Sequence, residues 1–545
     1  MTSSPVSGSV PTSTLLVHSD TAELRLSVPE GRSVRDALDV TPLRVRAACG
    51  GTGACGACLV RLLQGEVTPP TLAEFQKLTA EERAKGMRLA CQLRLRGDAE
   101  VRLDDPAPPS LWTSIPPEDL WPAPAGQPDL TRHIYGVAVD LGTTHIRVAL
   151  WDRKHGQRLA TRRGPNPQSG FGADVLNRLD AALASPERAA ELAKLARNAI
   201  VQAVRDILKR DVGEVRPMLA EIGRVVIVGN TAMLTLLTGV GAGPLLEPAN
   251  WERTIDHQPR DPATWQAQWF MPNVEIVLPG TVAGFVGSDL VADLVATGLS
   301  QGPAGSLLLD VGTNTEMALW DGQTLHVTSV PGGPAFEGVG IHFGMPAENG
   351  AICRVRPIAG GYELATIGGT DAHGYCGSGL TDAVAVLLAN GGVKASGRFA
   401  QPPGAGGYRL DPGNPRSALF GSDIDAFQRA KAAMAAAMAT LMEQAGMNWT
   451  DLRRLCVCGA FGRTLDVGHA QAVGLLPPIA PERVELFSDA TLAGCERLLL
   501  GPTGAPGARE VMNPISAVNL TKVIGYDDRY IDHLRLKPMR PVLTV

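Results

Sequence analysis

Four cysteines near the start of the chain have the spacing of metal ligands. Three lie on one glycine-rich loop, Cys49-GGTGA-Cys55-GA-Cys58, and Cys91 follows in a separate segment. Three thiolates from one loop and a distant fourth are the usual ligand set of a [2Fe–2S] cluster. The intervening glycines let the backbone wrap closely and point N–H groups at the sulfurs. We therefore predict that these four cysteines bind a [2Fe–2S] cluster.

The spacing of the cysteines narrows the class of site further. C-x5-C-x2-C differs by one residue from the plant-type ferredoxin spacing and resembles the adrenodoxin-like variant. A structural Zn²⁺ site is the alternative, but it usually shows two C-x2-C pairs and this chain has one. Gly51, Gly53 and Gly56 also match a dinucleotide-binding fingerprint, yet no strand precedes them and no long helix follows. The remaining cysteines lack ligand spacing, and we expect Cys456 and Cys458 to be buried.

A sequence motif that occurs twice marks a second candidate site. The chain reads VAVDLGTTHIRVALWD near its middle and LLLDVGTNTEMALWD later on. Each copy predicts a strand, an acidic residue, a Gly-Thr turn and a second strand. The tip of such a hairpin offers N–H groups and hydroxyls to a phosphate, and the aspartate beside it can hold Mg²⁺ through water. The residues are Asp140, Gly142, Thr143 and Thr144 in the first copy, and Asp310, Gly312, Thr313 and Asn314 in the second.

The doubled hairpin resembles the phosphate clamp of the actin, sugar kinase and Hsp70 ATPases. The P-loop motif G-x-x-x-x-G-K-[ST] is absent from the sequence. The resemblance implies ATP, with Mg²⁺ near Asp140 and Asp310. It also implies a later glycine-rich turn against adenosine, for which Gly459 and Gly462 in RRLCVCGAFG are the candidates. Any one of these glycine loops alone could be a structural turn.

Length and composition bound the class of protein. At 545 residues the chain should hold three or more domains, and its 44% hydrophobic content is ordinary for a protein with a sizeable core. A net charge of −5 without a run of basic residues gives no reason to expect nucleic acid. No apolar stretch reaches the length of a membrane span, and the first residues lack an export signal. We predict no membrane partner and a cytoplasmic location.

The order of the elements predicts a multidomain α/β protein. We predict a β-grasp-like ferredoxin domain over residues 1–103. A Pro-rich linker is predicted over 104–133, because the eight prolines scattered between residues 104 and 128 rule out a helix or a central strand. Alternating strands and helices follow, and the duplicated hairpin predicts two similarly folded halves. The resemblance to the actin, sugar kinase and Hsp70 ATPases implies that both halves are RNase H-like (ASKHA) α/β domains. We place the first, middle subdomain at 134–220 and the C-terminal ATPase domain at 221–545.

An iron–sulfur loop joined to an actin-like ATPase resembles one family closely, the ATP-dependent reductive activators of corrinoid proteins. The resemblance extends to about residue 500 and rests on the combination of CGGTGACGAC, NPQSGFGADV, VGNTAM, LPGTVAGFVGSD, LDVGTNTE, GPAFEG, CGSGL and GAFG. It implies that ATP hydrolysis is coupled to one-electron transfer from the cluster to Co(II) cobalamin, which regenerates Co(I) for methyl transfer. It also implies a corrinoid protein or cobalamin-dependent methyltransferase as partner, a low-potential electron donor, and a homodimer.

The family motifs add candidate residues to the ATP site. Asn230 in VGNTAM and Gly377 in CGSGL fall at nucleotide-binding positions. Glu316 and Asp289 are candidates for positioning the attacking water, and the alternative for both carboxylates is a solvated turn residue.

The chain departs from the family pattern at two places. His145 stands where another threonine is common, and Ser488-Asp489-Ala490 replaces a Gly-Asn pair. Two other functions stay open from the sequence. One is a redox-regulated small-molecule kinase of the sugar and acetate kinase superfamily, which requires a catalytic aspartate that the sequence does not single out. The other is an electron-carrier scaffold that binds ATP without turnover.

Overall fold

The computed structural model describes most of the chain, and its contacts divide the chain into two compact units. The described residues are 11–20, 22–108, 110–122, 134–172, 174–212, 215–332, 334–459, 461, 464–501 and 514–540. The first unit comprises Met1–Pro116, Arg205–Met218 and Gly368–Thr370, and the second comprises Pro117–Val204, Leu219–Ile367 and Asp371–Val545. Among the helices described, none combines the length and apolarity needed to cross a bilayer.

The first unit is built on a five-stranded mixed sheet. Its elements are β1 Thr12–His18, β2 Glu23–Pro29, α1 Val34–Asp39, β3 Leu59–Val67, α2 Leu72–Lys77, α3 Ala80–Ala84, β4 Met87–Leu89 and β5 Leu95–Arg102. The strand order is β2-β1-β5-β3-β4, with β1 and β5 parallel and the other neighbours antiparallel. Alternate residues of β1, Leu15 and Val17, are fully buried in a core that also contains Cys58 and Cys91. The predicted ferredoxin-like fold is confirmed.

The second unit begins with another five-stranded sheet. The elements of this stretch are β6 Tyr135–Leu141, β7 His145–Asp152, β8 Gln157–Pro165, α4 Val175–Ala184, α5 Pro186–Ile207, α6 Val215–Ala220, β9 Ile222–Val228, α7 Thr231–Thr238, α8 Ala242–Leu245, α9 Pro262–Trp269, β10 Glu275–Val277 and α10 Ser288–Thr297. The order is β10-β9-β6-β7-β8, in which β6, β7 and β8 are antiparallel while β9 and β10 run parallel to β6. The end of α5 and most of α6 fall in the first unit.

A second sheet repeats this topology. The elements are β11 Ser306–Val311, β12 Thr315–Trp320, β13 Leu325–Val330, β14 Ala351–Ile358, β15 Gly361–Thr366, β16 Gly374–Tyr375, α11 Gly377–Ala389, β17 Tyr408–Arg409, β18 Ala418–Leu419, α12 Gly421–Gln444, β19 Arg454–Gly459, α13 Val467–Ala472, β20 Val484–Leu486, α14 Ala490–Leu500, β21 Ile515–Ala517 and α15 Tyr526–His533. The order is β20-β19-β11-β12-β13-β21, so β11, β12, β13, β19 and β20 correspond to β6, β7, β8, β9 and β10. The predicted duplication of the α/β fold is confirmed.

The predicted boundary after residue 220 falls just before β9 and β10, which complete the first of the two sheets. The domain ranges given above stay a prediction, and residues 109 and 123–133 of the predicted linker lie outside the described part of the chain.

Helices α10 and α14 pack closely between the two repeated sheets. A Cβ on Gly494 of α14 would lie 1.8 Å from the Ala292 carbonyl oxygen of α10, so only glycine permits this crossing. The Cys495 thiol of α14 reaches the Val226 carbonyl of the first sheet at 3.4 Å, while Leu290 of α10 belongs to the core under the second sheet. The two helices therefore bring their N-terminal ends to the region where both hairpins end.

Candidate functional site

The cysteine loop has the backbone that four thiolate ligands require. Gly50, Gly51, Gly53 and Gly56 all have positive φ angles, between 59° and 88°, a region that glycine enters without strain. Cys55 is exposed and Cys49 half-buried, whereas Cys58 and Cys91 are buried.

The two buried sulfur atoms of the set lie close together without forming a disulfide bond. The Cys58 and Cys91 sulfurs are 3.4 Å apart, far longer than the ~2.05 Å of a disulfide bond. The hydrogen bond between them raises the pKa of Cys58 and lowers that of Cys91 to about 7. Burial raises the pKa of Cys49, but hydrogen bonds from Cys55 outweigh it and bring the value down to about 6. The predicted ligands thus fit an iron–sulfur cluster, although their assignment stays a prediction.

The first hairpin, β6–β7, holds an aspartate in an ion pair. Asp140 lies opposite Arg147 in the strand register, and Arg147 Nη1 donates to Asp140 Oδ2 at 2.8 Å. Burial raises the pKa of Asp140, and Arg147 opposes the shift. The Arg147 guanidinium also lies 3.9 Å from Asp489 Oδ1. One arginine therefore faces two carboxylates at this end of the sheet.

The tip of the first hairpin is fixed by side chains from neighbouring segments. Asn230, which caps α7, donates to Thr143 Oγ1 at 3.0 Å, and Asn166 donates to the Gly142 carbonyl at 2.9 Å. Arg178 donates to the Thr143 carbonyl at 2.7 Å. Thr144 at the tip is exposed. These contacts orient the turn, and Asn230 acts here as a support for the hairpin.

The second hairpin, β11–β12, has the same register but the opposite charge pattern. Asp310 lies opposite Glu316, which is 2% exposed and accepts a hydrogen bond from Ser329 at 3.2 Å. Burial and the charges of Asp289 and Asp310 raise the pKa of Glu316 well above its usual value. At the tip, Thr313 donates to Glu337 Oε2 at 2.8 Å.

Helix α10 points two further carboxylates at the second hairpin. Burial and the charge of Asp310 raise the pKa of Asp289 to about 8. Asp293, one turn later, is fully buried, and its Oδ2 finds no hydrogen-bond donor among the described residues. Burial raises the pKa of Asp310 to about 6, with the side-chain contact to Asp293 lowering it. Four carboxylates, those of Asp289, Asp293, Asp310 and Glu316, therefore share one electrostatic neighbourhood, and the Arg147 guanidinium opposes the rise in the pKa of Asp310.

The structure thus brings four predicted residues together, since Asp140 and Asp310 both act electrostatically on Asp289, and Asp289 acts on Glu316. A group of buried acids of this kind is stable as anions only beside a cation. Mg²⁺ takes carboxylate and water oxygens, so the group is a fitting place for it.

The strands of the first hairpin and β8 also carry basic side chains. Arg163 on β8 lies opposite Arg147 in the strand register. The charges of both arginines act on the His145 imidazole. Burial, followed by the charges of Arg163 and Arg147, lowers the pKa of His145 to about 4. Glu348 approaches His145 and Arg163 at 3.7 and 3.9 Å. The two hairpins therefore differ in charge, with arginines on the sheet of the first and buried carboxylates around the second.

The remaining predicted glycines differ in their surroundings. Gly459, at the end of β19 with φ +78°, would place a Cβ 2.4 Å from the Val311 carbonyl and 2.6 Å from Asp310 Oδ1. A Cβ on Gly377 would meet the Phe336 carbonyl at 2.7 Å. Gly312 at the second tip has space, with its nearest neighbour, the Asn314 carbonyl, at 3.5 Å from a Cβ. Gly462 lies outside the described residues.

Several site residues were missed from the sequence. Arg147 could have been found from the hairpin register, since it faces Asp140, and Asp293 from its spacing of four from Asp289 on one helix face. Asp489 was noted only as a departure from the family pattern. Among the described residues, neither of its carboxylate oxygens has a hydrogen-bond partner. Burial raises its pKa to about 7 against the effect of Arg147.

Comparison with known protein families agrees with this architecture. The chain matches the 2Fe-2S iron-sulfur cluster binding domain over residues 17–96, the RACo middle region over 135–302, and the C-terminal domain of RACo, the ASKHA domain, over 304–543. The chain belongs to the RACo family. A [2Fe–2S] domain and an ASKHA domain are therefore both present, as predicted.

Individual relatives support this assignment to RACo. The corrinoid activation enzyme RamQ of Eubacterium limosum is 28% identical over 75% of this chain and 70% of its own length. The [Co(II) methylated amine-specific corrinoid protein] reductase of Methanosarcina barkeri is 28% identical over 71% of this chain and 74% of its own. A solved structure of a reductive activator for corrinoid,iron-sulfur protein shares the fold, with a TM-score of 0.64 at 24% identity over 96% of this chain and 98% of that one.

Proposed function

We propose that this protein is an ATP-dependent reductive activator, which passes one electron from its [2Fe–2S] cluster to the Co(II) of a corrinoid protein and regenerates Co(I). The observation that carries the proposal is the presence, in one chain, of the four-cysteine set and the two hairpins with their buried acids, in the domain order of RACo. The two relatives that span most of the chain are named for corrinoid activation and Co(II) corrinoid reduction. These relatives favour this function over the small-molecule kinase.

The energetics explain why such a protein would need ATP. Co(I) is a strong reductant, and each ~59 mV uphill costs about 1.4 kcal/mol for one electron. ATP can assist the transfer only if it interacts differently with two states of the complex. The cleft between the hairpins supplies groups for such differential binding, because its acids change their electrostatic environment when Mg-ATP enters.

We assign roles in the cleft from its charges. The second hairpin and α10 would hold Mg²⁺ through Asp310, Asp289 and Glu316, directly or through water. Arg147 and Arg163 would bind the phosphates from the other side. The tip residues of both hairpins would donate to phosphate oxygens, namely Gly142, Thr143, Thr144, Gly312, Thr313 and Asn314.

The partners follow from the reaction. The oxidised cluster must be reloaded by a low-potential electron donor, and the acceptor is a corrinoid protein or cobalamin-dependent methyltransferase. A homodimer and a cytoplasmic location belong to the same proposal, and size-exclusion chromatography with light scattering checks the first.

The test is anaerobic visible spectroscopy of a purified Co(II) corrinoid protein mixed with this protein, a low-potential reductant and Mg-ATP. We expect the Co(I) band to grow only when all components are present. Cys55→Ala should remove the cluster and the Co(I) band. Cys353→Ala, a half-buried cysteine outside the cluster loop, is the matched control and should retain both.

Two further arms separate the alternatives. ATP hydrolysis without Co(I) formation, with corrinoid proteins of several methyltransferase systems, would reject the proposed acceptor. Stoichiometric phosphorylation of an added sugar or carboxylic acid would instead support the kinase, and absence of ATP turnover with every partner would support the scaffold.

A further inference from the structure

The cluster loop contacts a short segment that lies far away in sequence. This segment, Arg205–Met218, belongs to the same compact unit as the ferredoxin-like fold. The Gly50 amide donates to the Arg210 carbonyl at 3.4 Å. A Cβ on Gly50 would lie 2.4 Å from the Asp211 carbonyl oxygen. The backbone of residues 210–211 is therefore packed directly against the loop that carries three of the four ligands.

Arg35 stands between this segment and the ligands. A Cβ on Gly51 would lie 3.1 Å from Arg35 Nη1 and 3.9 Å from the Cys91 Cβ, so the guanidinium is next to the loop and to the fourth ligand. The positive charge of Arg35 acts on the Cys91 sulfur. Arg35 is 4% exposed, and water screens its charge only weakly at such a site.

Two carboxylates hold Arg35 in place. Arg35 Nε donates to Asp39 Oδ2 at 3.1 Å, and Arg35 Nη2 donates to Asp211 Oδ1. Asp39 in turn accepts from Arg210 Nη2. Two arginines and two aspartates thus form a linked set of ion pairs beside the cluster ligands, and the Asp36 carboxylate also acts on Arg35. Asp211, which is half-buried, supplies one of the negative charges from outside the ferredoxin-like sheet.

We propose that Asp211 lowers the reduction potential of the cluster by neutralising Arg35. A reduced cluster is one unit more negative than an oxidised one, so a net positive charge beside the ligands favours the reduced form and raises the potential. With Asp211 in place, that net charge is cancelled. The Arg210 carbonyl acts in the same direction, because it occupies the Gly50 N–H, and N–H groups directed at sulfur also raise the potential.

The consequence deepens the proposed function. A donor to Co(II) must be a strong reductant, and Asp211 makes the cluster a stronger one. The inference rests on the cluster half of the proposed function only and is independent of the corrinoid acceptor.

The experiment measures the midpoint potential of the reconstituted full-length protein by redox titration, followed by the electron paramagnetic resonance signal of the reduced cluster. We expect Asp211→Asn to raise the potential and Asp211→Glu to leave it near that of the parent protein. The matched control is Asp206→Asn. Asp206 lies on the same segment and pairs with Arg44 at 3.0 Å, and Arg44 also donates to the Trp112 carbonyl.

A double-variant comparison tests whether Asp211 acts on the cluster potential through Arg35. In an Arg35→Gln background the Asp211→Asn substitution should shift the potential far less than in the parent protein. An unchanged potential in Asp211→Asn, an equal shift in Asp206→Asn, or an undiminished shift without Arg35 would each overturn the proposal. If the Arg35→Gln protein does not assemble a cluster, the difference in midpoint potential between Asp211→Glu and Asp211→Asn decides the question by itself. The titration contains neither ATP nor corrinoid, so a failure of Co(I) formation leaves this result unaffected.

Discussion

The two phosphate hairpins have the same strand register and different electrostatics. The aspartate before the Gly-Thr turn faces Arg147 in the first hairpin, whereas it faces Glu316 in the second. The first hairpin is thus neutralised by its own sequence. The second adds charge to charge, and α10 adds Asp289 and Asp293 to it.

This difference shows how one duplicated element can take two roles. A neutral hairpin folds without a ligand and can serve as a rigid wall for phosphates. An acidic hairpin that packs against further carboxylates is stabilised as an anion when a cation binds. We infer that the second hairpin is the ligand-dependent one, and each prediction below tests that contrast.

The largest expected effect on stability comes from Arg147→Met. It leaves Asp140 and Asp489 facing each other without their cation. Removing one partner of a buried ion pair costs ~3–5 kcal/mol, and we expect the lower end because the Arg147 side chain is 34% exposed. The loss should be larger at pH 8 than at pH 5, since the two carboxyls can take up protons at the lower pH. Thermal unfolding at both pH values measures it.

Two variants serve as controls for this loss. Arg163→Met removes a neighbouring cation without breaking the Asp140 ion pair, and should cost less. Arg147→Met combined with Asp140→Asn should recover part of the stability. Equal melting temperatures for Arg147→Met and Arg163→Met would contradict the idea that the first hairpin is internally neutralised.

The next effect concerns the metal. Asp310→Asn should lower the affinity for Mg²⁺ by about 10–100-fold, the range found when a group that supports a metal site is removed. The same substitution should leave the metal-free protein as stable or more so, because it removes like-charge repulsion. Mg²⁺ titration of ATP hydrolysis measures the affinity. Asp140→Asn is the comparison, with a smaller effect on Mg²⁺ and a larger one on stability; the opposite ranking would place the metal at the first hairpin.

The sequence predicted those features that short stretches encode by themselves. The three-cysteine loop, Cys49 to Cys58, and each copy of the hairpin were recognisable because each is a short continuous stretch of sequence, and the two matched sheets follow from the repeat. The contrast between the hairpins was also available, since a tight turn fixes which residues face each other. The residues that create this contrast lie in the strands behind the Gly-Thr turns, outside the phosphate-binding motif itself.

Contacts between segments that are far apart in the sequence could not be predicted from it. Asp489 reaches the first hairpin from the start of α14, and α14 is placed there by its glycine crossing with α10. Asp211 reaches the cluster loop from the helical turn Leu208–Val212, which follows α5. No local pattern near Asp140 or Cys49 records these contacts.

A smaller effect distinguishes the two turn glycines. A Cβ on Gly142 would lie 2.5 Å from the His145 carbonyl, whereas Gly312 has space. We expect Gly142→Ala to cost about 1–3 kcal/mol, as overpacking does, and Gly312→Ala to leave the melting temperature nearly unchanged. Gly312→Ala should nevertheless weaken ATP binding in calorimetry, because the open space is where a phosphate would approach. Unimpaired ATP affinity in that variant would remove the second tip from the phosphate site.

The smallest effect is a pH dependence set by α10. The pKa of Asp289 rises from its ordinary 3.8 to about 8 in the folded protein. Between these values the folded carboxyl keeps its proton while the unfolded one is ionised, so the unfolding free energy falls as pH rises and levels off above about pH 8. Bound Mg²⁺ favours the ionised form and should therefore raise the melting temperature more at pH 8.5 than at pH 6. Asp289→Asn should reduce both the fall in unfolding free energy with pH and the pH dependence of the Mg²⁺ effect. Glu275→Gln, which changes an exposed acid that pairs with Arg224, should preserve both. A Mg²⁺ shift that is independent of pH, or unchanged in Asp289→Asn, would mean that the carboxylates of α10 do not face the metal and that the second hairpin binds it alone.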